Sequence, residues 1–177
     1  TAPVLNGLAE LLPTLQITLR SGLPLAKLKQ RIHAPFAHIA QASDFGYVMF
    51  DALTIDHTAT AARYREAHTD FAQCVAADAA LLRELRVDAV FANVSYLPLA
   101  GAAQAGIPAV ALCSLNWADL YAHYFGADAI HDAMLAAYRS TTFLRTTPGM
   151  PMPALDPTET IGPIATLDDL LIFAGNG

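Results

Sequence analysis

The sequence predicts an α/β domain built on a mostly parallel sheet, on three observations. Two apolar runs, 87–94 and 107–113, are nearly continuous rather than alternating, as in strands covered on both faces. Each run turns polar at its carboxyl end and is followed by apolar residues at helical spacing. The connections are short and marked by Gly106 and Pro108, so strand, helix, strand and helix alternate as in a right-handed βαβ unit.

From the start of the chain, Val4, Leu5, Leu8, Leu11 and Leu12 recur at helical spacing, with Pro3 suited to a first turn and Pro13 to a stop. Leu15, Ile17 and Leu19 then alternate with Gln16, Thr18 and Arg20, the period of a half-buried strand. A helix followed by a strand implies a partner strand preceding Thr1, so the sheet is expected to lack its usual first strand. Residues 25–32 read as a short helix, 36–40 as a strand, and 43–46 as a loop delivering 47–50. Residues 56–86 read as one long helix, with Phe71, Cys74, Val75, Leu82 and Leu85 on its buried stripe.

Beyond the second apolar run, Gly126 is expected to stop a helix and Asp128 to cap the next, whose buried stripe carries Ile130, Met134 and Tyr138. Pro148, Pro151, Pro153, Pro157 and Pro163 forbid long regular structure. Residues 146–177 are therefore expected to form an extended Pro-rich segment of a single domain spanning 1–177, with a short helix and a frayed end over 167–177.

Composition narrows the function. Of 177 residues, 54% are apolar, enough for one core, and only 15% are charged, which predicts apolar surface that meets a partner such as a second copy in a homodimer. A net charge of −6 without clusters of Lys and Arg argues against nucleic acid. The spacing of Cys74 and Cys113 suggests neither a disulfide nor a zinc site, so both are expected to be buried free thiols in a reducing compartment. The apolar stretch 97–113 is interrupted by Pro98, Gly101, Gln104, Gly106 and Pro108, which is wrong for a membrane span. No basic region followed by an apolar core opens the chain, so a cytoplasmic location is expected; the start at Thr1, without Met, reads as a cleaved or trimmed end.

In a parallel sheet, ligands bind beyond the carboxyl ends of the strands, where loops leave a crevice. That rule selects Asn93, Ser95 and Tyr96 after the first run, and Ser114, Asn116 and Trp117 after the second. Hydroxyls, amides and a flat ring suit a sugar, which offers hydroxyl groups and a C–H face for stacking. The competing structural explanation is that Asn93 and Ser114 cap the helices that follow, while Tyr96 and Trp117 pack at their starts.

The stretch 88–121, with its Gly106-Ile107-Pro108 turn and its Asn116-Trp117 pair, resembles the N-terminal, acceptor-side domain of two-domain (GT-B type) glycosyltransferases. It also resembles the glycosyltransferase-like region fused to some sugar kinases. Tyr138, the 143–145 strand, the Pro-rich segment and Gly162-Pro163-Ile164-Ala165 agree with that pattern. The resemblance implies a Rossmann-like three-layer fold and transfer of a sugar from a nucleotide diphosphate donor to an acceptor hydroxyl. It also implies a sugar or glycosylated small molecule as acceptor, with the nucleotide-sugar donor held only by a second domain. The glycine-rich loop that usually begins such domains is absent from the sequence, so no catalytic residue is assigned and the isolated chain is expected to be inactive.

Other chemistries fit less well. His57 and His68 lie about three helical turns apart and cannot share one ion, and no metal or cofactor is expected. Asp44-Phe45-Gly46 matches a kinase metal triplet by letters alone, without the glycine-rich loop, strand Lys or catalytic loop that must accompany it. Ser95 and Ser114 lack the G-x-S-x-G surroundings of a hydrolase nucleophile. The functional alternative is a non-catalytic ligand-binding or dimerisation module of the same fold.

Overall fold

The computed structural model describes residues 1–155 and 159–164. The fold class is α/β with parallel sheets, consistent with a Rossmann-like three-layer arrangement. The described chain forms two compact units, one from Thr1–Ala42 with residues 162–164 and one from Ser43–Ile161.

The first unit opens with helix α1 (Ala2–Leu11), which has Pro3 in its first turn and ends before Pro13. Strand β1 (Ile17–Arg20), helix α2 (Leu25–Lys29) and strand β2 (Phe36–Ile39) follow. β1 pairs in parallel with β2, with Ile17 opposite Phe36 and Arg20 opposite Ile39. Asn6 ties α1 to the residues after α2, since its Oδ1 accepts from the His33 N–H at 2.9 Å and its Nδ2 donates to the Arg31 carbonyl at 3.0 Å. Leu5, Leu28 and Ile32 are buried here.

The second unit carries a four-stranded parallel sheet in sequential order: β3 (Val90–Ala92), β4 (Ala109–Cys113), β5 (Thr142–Thr146) and β6 (Glu159–Ile161). Helix α5 (Leu97–Ala105) joins β3 to β4, and α6 (Trp117–Phe125) and α7 (Ala129–Arg139) join β4 to β5. Gly106 ends α5 at φ 72°, a left-handed stop that glycine adopts without steric cost. Asp128 caps α7 through the N–H groups of Ile130 and His131. The core gathers Leu99, Ala111, Ala118, Met134, Tyr138 and Phe143.

Three expectations are corrected. The long helix breaks at Asp70 into α3 (His57–Thr69) and α4 (Phe71–Glu84). Side chains compete with the ladder at the end of α3: the His68 ring pairs with the Tyr64 carbonyl and the Thr69 hydroxyl donates to the Arg65 carbonyl. On α4, Asp78 and Ala79 are buried and Phe71 packs against the core, whereas Cys74 and Leu85 of the expected stripe are exposed. The Pro-rich segment contains a 3-10 turn over Pro153–Leu155 and contributes β6, which pairs with β5. The short helix expected over 167–177 and the residues around Pro157 lie outside the described residues. No helix among the described residues is long and apolar enough to cross a membrane.

Candidate functional site

The loops after β3 and β4 meet at the carboxyl end of the sheet because two side chains span them. The Tyr138 hydroxyl, on a fully buried ring of α7, donates to the Val94 carbonyl and accepts the Trp117 backbone N–H at 3.2 Å. Burial drives this phenol well above its ordinary range, so it stays protonated while it serves both groups. The second tie is Asp44. Its Oδ2 accepts the Ser95 hydroxyl at 3.0 Å and the Trp117 indole N–H at 2.9 Å.

Asp44 is itself held by the 43–46 loop. The Tyr64 hydroxyl donates to the Gly46 carbonyl at 3.0 Å, the Phe45 ring lies 4.7 Å from the Tyr64 ring, and the Arg63 guanidinium lies 4.5 Å over Phe45. Gly46 has φ 67°, and a side chain there would begin 3.2 Å from the edge of the Trp117 ring. A left-handed backbone and lack of space thus select glycine together.

The six residues expected at the strand ends divide by role. Ser95 and Trp117 converge on Asp44. Asn93 is exposed beyond β3, and Ser114 uses its carbonyl to accept the Met150 N–H at 2.8 Å. Tyr96 is buried, its ring stacked 5.7 Å from His68. Asn116 has no exposed surface: its Oδ1 caps α6 through the Asp119 N–H at 2.8 Å, and its Nδ2 donates to the Asp119 carboxylate at 2.7 Å. Capping at this end of the sheet therefore belongs to Asn116, not to Asn93 or Ser114, and Tyr96 occupies the cap position of α5 without a side-chain bond.

Sequence reasoning missed Asp44, which sits 51 residues before Ser95 and 73 before Trp117. It also missed the aromatic wall beside Trp117. The Tyr47 ring meets Trp117 edge-on at 5.5 Å and Tyr124 edge-on at 5.7 Å. Burial, with a smaller contribution from Tyr124, pushes the Tyr47 hydroxyl up to about 12, and that buried oxygen has no hydrogen-bond partner among the described residues. Tyr64 and Tyr96 are raised as well, first by burial and further by the charge of Asp44. The surround of this carboxylate is thus neutral phenol, hydroxyl and indole at ordinary pH. Among the described residues, no three His, Cys, Asp or Glu side chains are grouped so that they could hold a metal ion.

The chain is 30% identical over 142 residues to L-arabinokinase of Arabidopsis thaliana, covering 76% of this chain. It spans only 14% of the length of that protein. No family model matches the chain, and no solved structure matches it.

Proposed function

We propose that this chain is a glycosyltransferase-like module that binds a sugar, the acceptor-side half of a nucleotide-sugar-dependent transferase or its counterpart within a larger sugar-acting protein. The observation that carries this is the joining of Ser95, Trp117 and Asp44 at the carboxyl ends of parallel strands. An indole ring beside hydroxyl and carboxylate groups offers what a sugar requires: a surface for its C–H face and partners for its hydroxyls. The similarity to a stretch of L-arabinokinase supports a sugar as ligand. A nucleotide-sugar donor would be held by a second domain, and the isolated chain would not turn it over.

Trp117 is the only tryptophan, so its fluorescence reports on the site directly. Titration of the chain with L-arabinose, D-galactose and D-glucose is expected to give saturable changes in emission and a rise in thermal midpoint, while uridine diphosphate leaves both unchanged. Silence toward all three sugars counts against sugar binding. A longer protein that joins this chain to a nucleotide-sugar-binding domain is expected to transfer sugar, and Trp117→Ala to weaken that transfer; a full-length protein without affinity for any nucleotide sugar removes the transferase assignment.

One observation favours a second function, a non-catalytic assembly module. Met49 and Ile55 bridge the base of a turn whose tip exposes 71% of Phe50 and 92% of Leu53. Such a tip would be covered in a homodimer. Sedimentation across a range of concentrations tests this: self-association abolished by Phe50→Ser and Leu53→Ser supports it, and a monomer throughout opposes it.

A further inference from the structure

We infer that Asp44 sets the specificity of this site, selecting neutral polyhydroxylated ligands and excluding phosphorylated or carboxylated ones. This rests on the sugar-binding assignment and adds to it the class of sugar admitted. Both hydrogen bonds described for Asp44 fall on one oxygen, Oδ2, from the Ser95 hydroxyl and the Trp117 indole. That grip fixes the plane of the carboxylate. An ionised carboxylate only accepts hydrogen bonds, so the groups it can receive from a ligand are donors such as sugar hydroxyls.

The two partners described for Asp44, the Ser95 hydroxyl and the Trp117 indole, are both neutral. Tyr64, Tyr96 and Tyr138 feel its charge and are held in their neutral forms, chiefly by burial. The Arg63 guanidinium is engaged over the face of Phe45. A phosphate or uronate brought beside Asp44 therefore meets a like charge in a partly desolvated setting, which weakens binding by roughly tenfold at a separation of about 6 Å. Trp117 gives the neutral ligand its flat contact, with Gly46 and Tyr47 setting the position of the ring.

The test compares ligands that share ring stereochemistry but differ in charge. Dissociation constants for D-galactose, D-galacturonate and D-galactose 1-phosphate are read from Trp117 fluorescence with the wild-type chain and with Asp44→Asn. The wild type is expected to favour D-galactose by roughly tenfold over either anion. Asp44→Asn, which keeps an acceptor for the indole, is expected to bring the three constants within about twofold of one another. Should the variant fail to fold, raising the ionic strength with the wild type is expected to narrow the same ratio.

Equal or tighter binding of the anions by the wild type overturns the role of Asp44 and leaves sugar binding standing. An unchanged ratio in a folded Asp44→Asn does the same. No response to any of the three ligands in either protein removes the sugar site itself, and this inference with it.

Discussion

The indole N–H of Trp117 and the carboxylate of Asp44 meet at 2.9 Å, although 73 residues separate them in the chain. With Ser95 on the same oxygen, this contact joins the 43–46 loop to the loops after β3 and β4. A hydrogen bond to an ionised group is worth more than a neutral one, about 1.5–3 kcal/mol, so this contact adds to the tie that Tyr138 makes between the loops after β3 and β4.

Gly46 allows that contact to form. Gly46→Ala is expected to cost about 1–3 kcal/mol, from the left-handed backbone at φ 67° and from a Cβ beginning 3.2 Å from the Trp117 ring. Urea unfolding measures the loss, and a shift of Trp117 emission in the folded variant shows that the ring has moved. An unchanged emission maximum would mean that the ring position does not depend on Gly46.

Tyr138→Phe tests the tie made by the Tyr138 hydroxyl. Removing the hydroxyl leaves the Val94 carbonyl and the Trp117 N–H without the partner they share, in a place the ring fully buries. A loss of about 1–3 kcal/mol is expected in denaturant unfolding, with the slope unchanged. A stability equal to wild type would show that water satisfies both groups.

Gly101 sits where α4 and α5 approach closely. In a helix, alanine is better than glycine by about 1 kcal/mol, which alone predicts stabilisation. Here an added Cβ would lie 2.7 Å from the Asp78 Cβ and 3.3 Å from the Ala79 nitrogen, so the helices must separate. Overpacking costs about 1–3 kcal/mol and decides the sign. Gly101→Ala is thus expected to lower the thermal midpoint, and a rise would contradict the close packing of α4 on α5.

His68 predicts a pH dependence. Its Nδ1 is placed to donate to the Tyr64 carbonyl at 2.8 Å, which leaves Nε2 as the bare nitrogen, and that atom is buried without a partner among the described residues. Burial lowers its pKa, against smaller raising effects of the Tyr64 carbonyl and the Asp128 charge. Because the folded value lies below the ordinary 6.5, the unfolded chain takes up the proton first as pH falls. The contribution is therefore complete above about pH 6.5 and declines as pH falls toward the folded value. His68→Phe, which keeps the stacking between Phe71 and Tyr96, is expected to remove this decline; an unaltered pH profile would assign it to another group.

Most elements are legible because their signals are local. Pro3 and Pro13 bracket α1, Gly106 ends α5, and the continuous apolar runs give β3 and β4. The break at Asp70 is less legible, since the apolar spacing continues through it and side-chain bonds from His68 and Thr69 mark the end of α3. β6 was hidden because three residues among prolines carry no periodicity, and only pairing with β5 makes them a strand. At the site, position relative to strand ends pointed to Ser95 and Trp117. It could not separate them from Asn116, whose amide is spent on a cap, nor reach Asp44, whose role exists only through contacts distant in sequence.

The most direct test of sugar binding at Trp117 follows its single indole N–H resonance by nuclear magnetic resonance as D-galactose and uridine diphosphate are added separately. A saturable displacement is expected with D-galactose, since the reporting proton lies on the bond to Asp44, and none with the nucleotide. A resonance that stays fixed through the sugar titration, or that responds to the nucleotide alone, would contradict sugar binding there.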